Sequence, residues 1–268
     1  MGRNILLTIH MWKLRDWIDP KRLTNSLSCN PRAGGYLERN PEKIDWSNLS
    51  NNPDAIHLLE QNQDKIDWTY LSSNPAAMHL IERNLDKISW TNLSMNPSAL
   101  NLLESNPDKI NWFCLCENPE AIPLLEKNPY QIDWEWLSLN PGAIKLLEEN
   151  PHEIEWIYLS LNPAAIHLLE ANPEKIDWLF FSKNPAAIHL LEANPEKISW
   201  FHLSRNSAAI HILEANQDKI VWEQLSINPG IFEYDYSKMS RPFTEELMQN
   251  RFHPDNIDRF EDWGFNSL

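Results

Sequence analysis

The chain has 268 residues, with 23 basic side chains against 38 acidic ones and a net charge of −15 at neutral pH. That sign is wrong for gripping a phosphate backbone or an anionic membrane surface, and no Lys/Arg-rich run offsets it, so neither nucleic acid nor membrane is an expected partner. Three cysteines cannot staple a chain of this length, which points to a reducing, intracellular setting.

Residues 1–29 read as an N-terminal cap, with a helix over residues 4–17 followed by Pro20. Leu27-Ser28 echoes the Leu-Ser that ends most later units, so this segment resembles half a unit, one residue short. The apolar residues 5–12 run into Lys13, Arg15 and Asp16 with no small-residue cleavage site, which argues against a signal peptide. No stretch has the length of a membrane span.

From residue 30 to residue 227 one pattern repeats without insertion: Trp46, Trp68, Trp90, Trp112, Trp134, Trp156, Trp178, Trp200 and Trp222 recur every 22 residues. Such spacing means one small structural unit in nine tandem copies. Residues 162–183 show its local logic. Asn162 is a favoured N-cap, its side-chain oxygen accepting an orphan amide of the first turn. Pro163 sacrifices no hydrogen bond at the first helical position, and its fixed φ suits the helix. Ala165, Ile166, Leu168 and Leu169 follow at helical spacing. Asn172 closes this first helix after about ten residues, since Asn tolerates the left-handed conformation and Pro173 disfavours helix before it.

A tight turn leads to a second cap position, occupied by Asp45, Asp67, Ser89, Asn111, Asp133, Glu155, Asp177, Ser199 and Val221. Seven of these nine are Asp, Ser or Asn, the residues an N-cap prefers. A shorter second helix is predicted to start at each Trp and end before the next Asn-Pro. Helices this short are marginal alone. Stability must therefore come from stacking, with the nine Trp as structural core and the invariant Ala33 to Ala209 marking close helix approach. The predicted fold is all-α: an α-solenoid of nine 22-residue helix pairs (30–227) with helical caps at 1–29 and 228–268. In the C-terminal cap, residues 244–251 and 254–263 are candidate helices broken by His253-Pro254. Gly34 and Gly35 make the first helix of the first unit the weakest.

The run Asn184-Pro185-Ala186-Ala187-Ile188-His189-Leu190-Leu191-Glu192, then Asn194-Pro195-Glu196-Lys197-Ile198, Trp200 and Leu203-Ser204, resembles the Asn-Pro/Ile-Asp-Trp repeat proteins encoded in many copies by giant DNA viruses. Phe243-Thr244-Glu245-Glu246-Leu247, Arg251-Phe252-His253-Pro254 and Trp263-Gly264-Phe265 are similar to the tail of that family, so the resemblance covers nearly the whole chain. It implies an ankyrin-like binding role in the host cytoplasm or the virion, and it brings no catalytic residue. Departures are Ser207 for the unit-initial Pro, Gln63, Leu85 and Gln217 for the second one, and Pro123 inside a first helix, where a kink is expected.

Periodic polar residues are the tempting functional candidates. His57, His79, His167, His189 and His211 share one position. Packed helices lie about 8–10 Å apart, whereas zinc ligands sit about 2.0–2.1 Å from the metal. The histidines therefore read as a solvent-facing stripe, and no metal is expected. One Glu per unit, from Glu38 to Glu214, reads as a structural ladder that satisfies loop donors or pairs with the Lys found five residues later. Cys114 and Cys116 point apart on a short helix and are not expected to hold a metal.

The positions that vary between units are more informative. The second residue after each Trp and the one three further on share a face. Trp136, Leu139, Tyr158, Leu161 and Phe180 stand there where other units carry Asn, Ser or His. Contiguous apolar groups at such positions mark a candidate protein-binding patch. No phosphate loop, nucleophile elbow or HExxH motif is present, so neither enzyme activity nor a cofactor is expected. The sequence thus points to an intracellular protein-interaction scaffold with a protein partner. The alternatives are a virion or homomeric assembly component formed by self-association, and an acidic nucleic-acid mimic.

Overall fold

A computed structural model describes residues 12–235 of the chain. The candidate helices over 244–251 and 254–263 lie outside the described residues, as does most of the helix expected over 4–17. The described part is mostly helical, with short helices in a regular repeating pattern. Most units supply a Pro-x-Ala 3-10 turn, an α-helical segment, a second 3-10 turn and a second α-helix that starts at the Trp. In one copy these are Pro163–Ala165, Ile166–Ala171, Pro173–Lys175 and Trp178–Phe181.

The first helix is therefore not one continuous element of about ten residues. Its Ala stops in the bridge region, as at Ala165 with φ −92° and ψ 10°, and the α-helix begins only after it. This explains the absence of a kink at Pro123. The α-segment Ile122–Glu126 starts one residue earlier, so the missing N–H falls in a first turn that has no intrahelical acceptor. The second Asn does not adopt the left-handed conformation either: Asn172 has φ −134° and ψ 59°. It ends the helix through its side chain instead, its amide donating to the Leu168 carbonyl at 2.9 Å. Six of the predicted second caps accept an amide: Asp45, Asp67, Ser89, Asn111, Asp133 and Asp177. Ser199 instead meets His202 Nδ1 at 3.0 Å.

Successive units are joined by the unit-initial asparagines. Asn162 Oδ1 accepts the Ala164 amide at 3.0 Å, capping its own unit. Its Nδ2 donates to the carbonyls of Ser138 (3.0 Å) and Asn140 (2.9 Å) in the preceding unit. A serine makes the second link. Ser160 Oγ donates to the Trp156 carbonyl at 2.8 Å and accepts the Asp177 amide of the following unit at 3.0 Å. Cys116 stands at this serine position, with Sγ at 3.3 Å from both the Trp112 carbonyl and the Asp133 amide. Its place is thereby explained without a metal.

The same bonds join the two ends of the described chain. Asn30 Nδ2 donates to the carbonyls of Ser226 (3.0 Å) and Asn228 (2.9 Å), the pattern of any neighbouring pair. The Thr24 amide reaches Ser226 Oγ at 3.0 Å, and Arg22 covers the Trp222 ring at 4.0 Å. Trp12–Leu14 (β1) pairs antiparallel with Phe232–Tyr234 (β2), Leu14 opposite Phe232. The contacts thus close into a cycle, and the ends supply two halves of one further unit. This corrects two expectations. Residues 12–14 are strand rather than helix, because Phe232–Tyr234 offers them a backbone edge. The described parts of the ends, residues 12–29 and 228–235, meet rather than lying apart as caps, because each covers the other's exposed face. Gly34 serves the boundary between the first two units, where a Cβ would come 3.0 Å from the Asp54 carbonyl oxygen.

The core is a stack of small and aliphatic groups: the unit alanines, a Leu or Ile of the first helix and a Leu of the second, all 0 % exposed. Phe181 takes the second-helix Leu position in its unit and is equally buried. The nine repeat Trp are half-buried and pack against that core from its edge. Several are roofed by a lysine of the next unit, such as Lys175 over Trp156 and Lys197 over Trp178, each at 4.2 Å. A Trp ring is too long to fit between units that approach closely enough for the Asn and Ser bonds, so it lies across their boundary.

Four changes test this scheme by equilibrium urea unfolding. Asn140→Ser keeps a cap acceptor but orphans two buried carbonyls, and should cost about 2–4 kcal/mol. Phe181→Ala should cost about 3–5 kcal/mol as a full core truncation, and Trp178→Ala about half of that. Phe232, 1 % exposed beside the seam, should lower the midpoint of the whole transition when changed to Ala. Separate caps would instead fray locally and leave that midpoint in place.

Candidate functional site

The second helices present two rows of variable side chains. The first row contains the patch predicted from sequence. Trp136, Leu139, Tyr158, Leu161 and Phe180 are all half-buried. Trp136 packs on the core, and its ring lies 4.8 Å from Phe113 and 6.0 Å from Tyr158. The Tyr158 hydroxyl donates to the Glu135 carboxylate, which pushes the phenol pKa up. Phe180 meets His202 edge to face at 5.4 Å. These groups form a floor rather than the exposed crest of a patch.

The crest is the residue immediately after each Trp, a position the sequence reading passed over. Phe113, Ile157, Leu179 and Phe201 are 47–51 % exposed. The equivalents in other units are Ser47, Thr69, Thr91, Glu135 and Glu223. The signal was present: this position too varies between polar and large apolar groups. A helix turns by about 100° per residue, so one step along the chain separates a half-buried group from an exposed one. From Ile157 to Phe201 the crest crosses three consecutive units above the floor of Tyr158 and Phe180.

The histidine and glutamate series meet across unit boundaries. His79, His167, His189 and His211 place Nε2 2.8–2.9 Å from the carboxylates of Glu60, Glu148, Glu170 and Glu192. The Glu ladder thus pairs with His of the next unit, because several lysines lie over Trp rings instead. His57 departs from the series, with both ring nitrogens buried and without a hydrogen-bond partner among the described residues. No cluster of three or more His, Cys, Asp or Glu side chains with metal-site geometry occurs among the described residues. Cys29, Cys114 and Cys116 are free thiols whose pKa values burial raises. No described helix is long and apolar enough to cross a membrane.

A cavity of about 650 Å³ lies at the seam, lined by Trp12, Lys13, Arg15, Arg32, Phe232 and Glu233 among others. Its cations are engaged. Lys13 and Arg15 lie 3.1 Å and 3.4 Å from Glu233, and Arg32 sits over Trp12 at 4.3 Å. The chain matches no protein-family model, no curated protein and no solved structure.

Proposed function

We propose that this is a non-catalytic, helix-pair solenoid protein that binds another protein along its second-helix face. The observation that carries the reading is the apolar crest of Ile157, Leu179 and Phe201, each about half exposed and adjacent in successive units. Large contiguous apolar groups on an otherwise strongly acidic protein mark a surface that gains by being covered. The floor residues Trp136, Leu139, Tyr158, Leu161 and Phe180 hold the crest rigidly, which lowers the entropy lost on docking. Resemblance to the giant-virus repeat proteins favours a viral protein directed at a host or viral partner.

The competing reading is self-association, in which the same crest buries against a second copy in a virion or other assembly. The triple change Ile157→Ser, Leu179→Ser and Phe201→Ser separates the two. Each position is exposed enough that the fold should lose no more than about 0.5 kcal/mol per site. Light scattering at micromolar concentration should find parent and variant both monomeric, and partner capture should be lost in the variant. A parent that is oligomeric and a variant that is monomeric would favour assembly. Unchanged capture by the variant would remove the crest from the interface.

A further inference from the structure

One place on this acidic protein concentrates positive charge without a counter-charge. At the C-terminal end of two neighbouring second helices, Lys183 and Arg205 occupy equivalent positions in successive units. With Leu161, Phe180, Phe201, His202 and Gln224 they line a cavity of about 140 Å³. Residues in this row approach closely, since Ser73 Oγ and Asn51 Oδ1 of two earlier units are 3.0 Å apart.

The scaffold does not need cations here. The same position holds Asn51, Ser73, Met95, Glu117, Leu139, Leu161 and Ile227 in the other units. Neither Lys183 nor Arg205 forms an ion pair with any described residue. The nearby Asp177 is already engaged by the Phe180 amide at 3.0 Å. Burial, then the Arg205 charge, pushes the Lys183 pKa down, so the empty pair is held at a cost. The walls are apolar and aromatic, with Phe201 and Phe180 edge-on to His202 at 5.1 Å and 5.4 Å.

We propose that this cavity is a binding site for an oxyanion, carboxylate or phosphate, carried on a flat apolar group. Lys183 and Arg205 neutralise the anion, Gln224 adds a neutral polar group to the lining, and the rings of Phe180 and Phe201 receive the apolar part. An oxyanion is the charge that turns the Lys183–Arg205 repulsion into attraction. The site adjoins the apolar crest at Phe201 but does not depend on the crest being an interface.

The test is thermal unfolding and calorimetric titration of the full chain with four probes at ionic strength held constant with chloride. Phenyl phosphate and benzoate should each raise Tm saturably with one site per chain. Inorganic phosphate and acetate should do so only at concentrations at least tenfold higher. The variant K183M/R205M keeps both side-chain stems and should lose the response, whereas K145Q, on a lysine whose side chain is 84 % exposed, should retain it. Without any probe, K183M should unfold about 1–2 °C higher than the parent, because the like-charge contact is gone. No saturable shift, or an undiminished response in K183M/R205M, overturns the site. Equal potency of the ringless anions overturns the aromatic part of the assignment, and a lower Tm for K183M shows that the lysine is a structural element instead.

Discussion

The structure depends on a buried carboxamide that is used at both ends. Each unit-initial Asn is 0–1 % exposed, a position that is costly for a polar side chain unless all its hydrogen-bonding groups are satisfied. Its oxygen caps the turn it begins, and its amide reaches two carbonyls of the unit before, or one in the case of Asn74. No other side chain has an acceptor and two donors on one short planar group. Asp would lose the donors, Gln would overreach, and Ser could cap but not bridge. The one group therefore fixes where a helix starts and how far away its neighbour lies. The serine link, with a hydroxyl that both donates and accepts, fixes the second helix in the same way.

With spacing set by those two bonds, the positions between units take small or aliphatic side chains, with Phe181 as the one aromatic exception among the described units. The buried series of Ala and Leu is the result, and the Trp is moved to the boundary, where a lysine of the next unit covers it. Nearly every unit is set against its neighbour by the same bonds, and the repetition of that placement brings the first and last units together. The bonds from Asn30 to residues 226 and 228 are those of any adjacent pair. Closure covers the terminal faces of the first and last units among the described residues. It also places the half units at the two ends against one another, with β1 and β2 pairing where the helical frame runs out.

The candidate site was legible only in part. Variation between units at the second-helix positions exposed the aromatic series around Trp136 and Phe180. It did not show that this series is a floor, because the face that looks outward depends on how each helix is rolled against its neighbour. The row after the Trp carries the same signal and is the exposed one. The histidine and glutamate series each stood out by periodicity. Their pairing, 19 residues apart, could not be read from one unit, because it joins the end of one first helix to the start of the first helix of the next unit. The unpaired cations Lys183 and Arg205 look ordinary in the sequence. They become distinctive only when the structure shows neither in an ion pair with any described residue.

By itself the sequence determined the period, the two helix starts in each unit, their Asn and Asp caps and the dependence of every unit on its neighbours. These follow from short-range chemistry, in which a cap, a Pro and an apolar spacing act within a few residues of one another. The tertiary structure alone decided that Trp sits at the rim while Leu fills the interior, that the ends join, and which row of the second helix meets solvent. Those outcomes follow from the distance and rotation between units. The placement of one unit on the next accumulates along the repeats, and no local pattern of residues encodes its sum.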